Sequence, residues 1–309
     1  MRLRDYLGLV PLWMIAVSGA VAAETMTLPR PDGSTIHWYL ERDLAAARQG
    51  VLIVAQGSGC GSVVTNRNVE GAKALLPDFA KVTVEKYGVV PGKTQRSPTD
   101  CSPAFYAHHT VSQRAEDYRA VLNELKKSGW WNGQLVLFGG SEGGAVVQIL
   151  AAEVQPNATV IFSAATGVPF LESFVRVLPP EAAAEVPSAL EKARRDPLSA
   201  EVWGGNSYRW LADIMDRPLW EDALKVDGPI LVVQGARDQS NPVSSARALR
   251  DAFAARGRAN LTYWEYAEYD HGMADADGVS HLPVVLGRIA DWLRTNLPAR
   301  ARAQTSATP

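Results

Sequence analysis

The chain has 309 residues, of which 47% are hydrophobic and 21% charged, with a formal net charge of −2. This composition suits a globular protein with one large core, and α/β chains of about 200–250 residues commonly form a single domain. A charge so near zero gives no electrostatic footprint for nucleic acid or an anionic membrane surface, and the five scattered histidines show no metal-ligand spacing.

Residues 1–23 read as a signal peptide. Met1-Arg2-Leu3-Arg4 is positively charged, residues 6–21 are largely apolar, and Ala20-Val21-Ala22-Ala23 offers small residues for cleavage before Glu24. An uncleaved anchor is the alternative, but the apolar run is short for a bilayer and lacks a basic flank on its far side. The mature chain is expected to begin near Glu24, periplasmic or secreted, with no stable membrane anchor.

Residues 25–29 and 35–40 flank the turn signal Pro31-Asp32-Gly33-Ser34 and predict a hairpin. Residues 51–55 predict the first central strand, 66–75 a helix, 82–86 a strand and 91–105 a loop. Tyr118, Val121, Leu122 and Leu125 have helical spacing within 112–127. His108 and His109, just before it, are expected to cap or pack against that helix rather than to edge a site. Asp275-x-Asp277-Gly278 reads as a turn, since the remaining ligands of a calcium loop are missing.

Gly139-Gly140-Ser141-Glu142-Gly143 lies between a strand-like run (134–138) and a helix-like run (144–150). Such a turn lifts a serine hydroxyl from the sheet edge, and side chains on the flanking positions would collide with the turn or the helix. Five letters recur by chance; two residues farther along the chain give them meaning. A nucleophilic serine needs a base, and the base an orienting acid. Asp238 follows the apolar run 229–234, and His271 follows the strand-like run 260–266, with a helix-like stretch at 243–256 between them. The order Ser, Asp, His, each just past a strand, is that of the nucleophile-elbow hydrolases.

On Gly139-Gly140-Ser141-Glu142-Gly143-Gly144, Gly235-x-x-Asp238-x-x-x-Pro242 and Asp270-His271-Gly272, the chain resembles the α/β-hydrolase superfamily of serine hydrolases. The resemblance spans residues 51–297, and the form with two glycines on each side of Ser-Glu is similar to serine-peptidase, dienelactone-hydrolase-like and acyl-thioesterase-like branches. It implies an α/β fold: a mainly parallel central sheet with helices on both faces, as residues 24–300, followed by a disordered tail at 301–309. It also implies a helical lid at about 165–226, a stretch too long for a simple crossover. The lid's Phe170, Phe174, Trp203, Tyr208, Trp210 and Trp220 either line an apolar acyl pocket or, as we favour for any one of them, pack the lid onto the body.

The resemblance further implies two oxyanion donors. One is the backbone N–H of Glu142; the other comes from Gln56-Gly57-Ser58-Gly59-Cys60-Gly61, with Ser58 preferred and Gly57 the alternative. Gln56 stands where many relatives carry His. In an oxidising compartment Cys60 and Cys101 are expected to form a disulfide, both lying on loops after strands at one end of the sheet; two unrelated buried thiols are the alternative. The expected activity is carboxylic ester hydrolysis by Ser141, Asp238 and His271 on a small-molecule substrate, without a cofactor. Peptidase or thioesterase action with the same apparatus is the second reading, and a non-catalytic binding protein on this scaffold the third.

Overall fold

The computed structural model describes residues 21–97, 100–164 and 166–297. Most of the expected signal peptide and the whole 301–309 tail lie outside the described residues, while Val21 to Ala23 open the first strand.

The chain begins with the expected hairpin, β1 (Val21–Pro29) and β2 (Thr35–Asp43), paired antiparallel from Val21–Asp43 to Pro29–Thr35. β3 (Gln49–Ala55) is buried along its whole length, in keeping with the continuous apolar run Val51 to Ala55 expected of a central parallel strand. α1 (Arg67–Lys73) is capped by the Asn66 side chain. β4 (Ala80–Val84) ends two residues earlier than the sequence suggested. Glu85 and Lys86 continue beyond it as buried charged side chains.

The expected loop at 91–105 gives way to a short helix, α2 (Pro103–His108), because Ser102 caps it and Pro103 sits at its first turn. α3 (Val111–Leu125) follows from the Thr110 cap. β5 (Trp131–Gly140), α4 (Glu142–Val154) and β6 (Ala158–Phe162) come next. Between β6 and β9 stand α5 (Phe170–Val175), α6 (Pro180–Arg195), the two-residue strands β7 (Val202–Trp203) and β8 (Asn206–Ser207), α7 (Tyr208–Ile214) and α8 (Leu219–Leu224). The chain then closes with β9 (Ile230–Gly235), α9 (Val243–Ala255), β10 (Leu261–Tyr266) and α10 (Leu282–Asn296).

The sheet has eight strands in the order β1-β2-β4-β3-β5-β6-β9-β10, parallel from β4 onward. Alternate side chains of β3 serve two cores. Val51 and Ile53 pack with Tyr118 and Val121 of α3, Val146 and Ile149 of α4 and Leu249 of α9. Leu52 and Val54 pack with Val69 of α1 and with Val285, Ile289 and Leu293 of α10. The sheet is therefore covered on both faces, and its parallel strands deliver their following loops to one edge.

Candidate active site

Ser141 sits between β5 and α4 with φ 54° and ψ −125°, a left-handed conformation that costs a non-glycine residue energy and is held by its surroundings. The surroundings are specific. A Cβ on Gly139 would stand 2.1 Å from the Gly143 carbonyl oxygen, and one on Gly143 would stand 2.1 Å from that of Ala55. Gly140 differs: its nearest neighbour would be Phe162 at 3.9 Å, an ordinary contact. The Ser141 N–H donates to the Phe162 carbonyl at 2.8 Å, fixing the elbow to β6.

His271 Nδ1 lies 2.8 Å from Asp238 Oδ2. The carboxylate is buried and fully engaged. Its Oδ1 accepts from the N–H groups of Ser240 and Asn241 at 2.8 Å each, and its Oδ2 also accepts from Gln234 Nε2 at 2.8 Å. The loops carrying Asp238 and His271 are pressed together at Gly235, where a Cβ would meet the Tyr269 and Asp270 carbonyl oxygens at 2.4 Å. The two other acids near His271 are occupied elsewhere. Asp270 accepts from the N–H groups of Gly272 and Ala274, and Glu265 pairs with Arg247.

Ser141 and His271 face one cavity of about 260 Å³, which Gly57 and Ser58 also line. Its apolar end is built by Val69 of α1, Phe138, Phe162, and Leu282 and Leu286 of α10. No charged side chain is among the described lining residues. None of the six aromatic residues of the 166–226 segment is there either. Instead Phe170 stacks on Phe174 at 5.4 Å and meets Trp210 edge-on at 5.2 Å, while Trp203 meets Phe174 at 6.0 Å. These rings bind the segment together, and Tyr208 and Trp210 join the core cluster of α3 and α4, packing the segment onto the body.

The Glu142 N–H opens α4, where no intrahelical acceptor exists and the helix dipole favours negative charge. The Glu142 side chain turns the other way, into a buried cluster. It accepts from Arg114 Nη1 at 2.6 Å and from Trp210 Nε1 at 3.0 Å, with His109 Nε2 at 3.3 Å. Burial works to raise the Glu142 carboxyl, but His109, Lys86 and Arg114 outweigh it and hold the group well below the ordinary carboxylate range. Burial pushes the His109 imidazole below its ordinary value despite Glu142 beside it. His109 also stacks on Phe105 of α2 at 4.4 Å, and His108 on Tyr87 at 4.4 Å, so these rings pack on α2 and on the loop after β4, while Thr110 caps α3.

The loop after β3 is tied into the same cluster. Arg114 Nη2 donates to the Gln56 carbonyl at 2.6 Å, and Gln56 Nε2 donates to the Gly61 carbonyl at 3.0 Å. Cys60 and Cys101 are disulfide-bonded with their Cα atoms 5.6 Å apart, and Cys60 N–H donates to Gln95 Oε1. The pairing expected from the sequence is present. Nothing in the sequence marks Arg114, Lys86 and His109 together as parts of a site. A signal exists for Arg114 alone, which falls on the apolar stripe of α3 with Tyr118, Val121 and Leu125. Asp275 accepts from the N–H groups of Asp277 and Val279 and pairs with His281, forming the turn expected there.

No protein-family model and no curated protein matches the sequence. Solved structures do. Est1E from Butyrivibrio proteoclasticus with ferulic acid bound aligns at TM-score 0.61 and 18% identity, covering 88% of this chain and 98% of that one. The fold is the α/β-hydrolase fold. An esterase of Pyrococcus furiosus aligns at TM-score 0.58 and 13% identity, covering 89% of this chain and 93% of that one. A puromycin-hydrolysing peptidase of Mycobacterium tuberculosis aligns at 0.59 and 16%, covering 87% of this chain and 38% of that one. Esterases and a peptidase thus share this α/β-hydrolase architecture, and likeness of fold does not choose between their chemistries.

Proposed function

We propose that this chain is a serine hydrolase that cleaves carboxylic esters through an acyl-enzyme on Ser141. One observation carries the reading: the His271–Asp238 hydrogen bond of 2.8 Å stands on the same cavity as a serine at φ 54°. Ser141 Oγ attacks the ester carbonyl as His271 Nε2 takes its proton, and Asp238 keeps the remaining proton on Nδ1. The carbonyl oxygen becomes an oxyanion between the N–H groups of Ser58 and Glu142. The C–O bond to the alcohol breaks as His271 returns the proton to it. Water then repeats the sequence in reverse and releases the acid.

The cavity supports an ester of a compact, uncharged acyl group. Its volume of about 260 Å³ falls below the roughly 300–1,000 Å³ of drug-sized sites. The lining offers no carboxylate to receive a peptide's amino terminus. Phe138 and Phe162, with ring centroids 5.9 Å apart, suit a short alkyl chain or a single ring. Est1E, which holds ferulic acid, is compatible with the second. Location outside the cytoplasm, with a signal peptide over 1–23 removed, is part of this proposal; the Cys60–Cys101 disulfide supports it.

The test is a panel of p-nitrophenyl esters of graded acyl length and aminoacyl p-nitroanilides, run on the mature protein and on Ser141→Ala. Short-chain or benzoyl esters are expected to turn over fastest, and Ser141→Ala to lose about 10⁶-fold in kcat. Faster turnover of the anilides would move the assignment to a peptidase. Full activity in Ser141→Ala would remove the nucleophile from Ser141.

A further inference from the structure

A buried cation lies beneath the loop after β3, used by neither the Asp238–His271 pair nor the cavity. Lys86 is 2% exposed, and its Nζ donates to the carbonyl oxygens of Gly57 and Gly59. A buried lysine is most often paired with a carboxylate. Here the adjacent Glu85 is taken up by the Ser62 hydroxyl, the Tyr39 hydroxyl and the Val63 N–H. Lys86 is instead spent on two carbonyls of one glycine-rich loop.

Across a trans peptide plane the C=O and the next N–H point in opposite directions, so drawing the Gly57 carbonyl toward Lys86 turns the Ser58 N–H away from it. Ser58 and Gly57 line the Ser141 cavity, and Lys86 does not. A Cβ added to Gly57 would come within 3.3 Å of Ser141 Cβ, so the plane being oriented is the one against the nucleophile. We propose that Lys86 is the positioning residue of the oxyanion hole, holding the Gly57–Gly59 loop so that the Ser58 N–H faces the substrate carbonyl oxygen. This rests on the ester-hydrolase reading and on Ser58 as a donor.

The groups facing Lys86 set its charge. Burial pushes its ammonium down to about 7, Arg114 on α3 pushes the same way, and Glu142 on α4 and Glu85 oppose them. His109, at the end of α2, belongs to the same cluster. Near neutrality the tie on the Gly57 and Gly59 carbonyls therefore weakens as pH rises and the ammonium gives up its proton.

Lys86→Met keeps the aliphatic stem and removes the donor. For a p-nitrophenyl ester, kcat is expected to fall about 10²–10³-fold, with KM changed by less than about threefold. Affinity for a boronic acid, which forms a tetrahedral adduct on Ser141, should fall in parallel with kcat/KM. Unchanged kcat, or lost kcat with undiminished boronate affinity, overturns the proposal. An inactive wild-type enzyme overturns the ester-hydrolase reading instead, and the proposal with it. If Lys86→Met does not fold, the Ser58 amide resonance is followed by ¹⁵N NMR in His271→Ala, where the base cannot contribute, from about pH 6 to 9. It should move with the Lys86 Nζ resonance; a Ser58 amide that stays still while Lys86 titrates refutes the assignment.

Discussion

The two sides of the Ser141 cleft are held by different kinds of interaction. On the side of Asp238 and His271, the donors that fix Asp238 come from Gln234, Ser240 and Asn241, all within four residues of it in the chain. On the side of the loop after β3, Gln56 and Glu142 are held by Arg114, 58 and 28 residues distant, and Glu142 also by Trp210, 68 residues away. The first side is a local structure that carries its own order. The second is assembled from α3, Lys86 beyond the end of β4 and the 166–226 segment, so substitutions far from Ser141 in sequence reach it through buried charge.

The contrast predicts how each side breaks. Asp238→Asn is the most damaging single change short of the nucleophile or base. It is expected to lower kcat by about 10⁴-fold through the wrong imidazole tautomer, with little loss in melting temperature, because the loop's other hydrogen bonds remain. Circular dichroism melts beside steady-state rates check this; wild-type rates would place the orienting acid elsewhere.

Arg114→Met should show the opposite pattern. It removes the guanidinium 2.6 Å from the buried Glu142 carboxylate, leaving His109, Lys86 and Trp210 beside it. The cost should therefore approach without exceeding the ~3–5 kcal/mol of breaking a buried pair. The change also frees the Gln56 carbonyl. Stability is expected to fall strongly, and activity with it. The pH dependence has a definite sign. Glu142 is held below its ordinary value of 4.5 in the folded state, so its contribution is complete above that value and is lost as pH falls below it. The stability gap between wild type and Arg114→Met should be widest at neutral pH and narrow on acidification. Denaturant melts at several pH values measure this, and a gap that does not vary with pH would contradict the ion-pair account.

The smallest expected effect on turnover belongs to the disulfide. Cys60→Ser/Cys101→Ser opens a loop of 41 residues, which the chain-entropy estimate puts at about 4 kcal/mol. Because Lys86 and Arg114 hold the Gly57 region independently, kcat should fall only a fewfold. A loss as large as that expected for Lys86→Met would make the disulfide, rather than the lysine, the main restraint on the loop.

The same contrast explains what is legible in the sequence. Ser141, Asp238 and His271 each follow a strand closely, so strand prediction plus chain order places them without tertiary knowledge. The glycines at 139 and 143 are readable for the same reason, since their crowding arises within the strand–turn–helix unit and its neighbouring strand. The sequence suggests a strand over 82–86 that includes Lys86, whereas the strand ends at Val84. The role of Lys86 depends on a loop 27 to 29 residues before it in the chain, and no local pattern encodes that. The sequence offers the aromatic residues of about 165–226 as packing or, less favoured, as an acyl pocket. Nothing local marks the residues that do form the cavity's apolar wall: Val69 of α1, Phe138, Phe162, and Leu282 and Leu286 of α10. Such a wall depends on which side chains face the end of β3, and composition alone cannot report that.

The central claim is that Ser141 is an activated nucleophile, and active-site labelling tests it most directly. Mature protein treated with a fluorophosphonate should gain one adduct by intact mass, and peptide mapping should place it on Ser141. Asp238→Asn should label far more slowly, and Ser141→Ala not at all. An adduct on another residue, or no adduct on a folded wild-type protein that binds esters without cleaving them, would contradict the account and leave the hydrolase scaffold with a binding role.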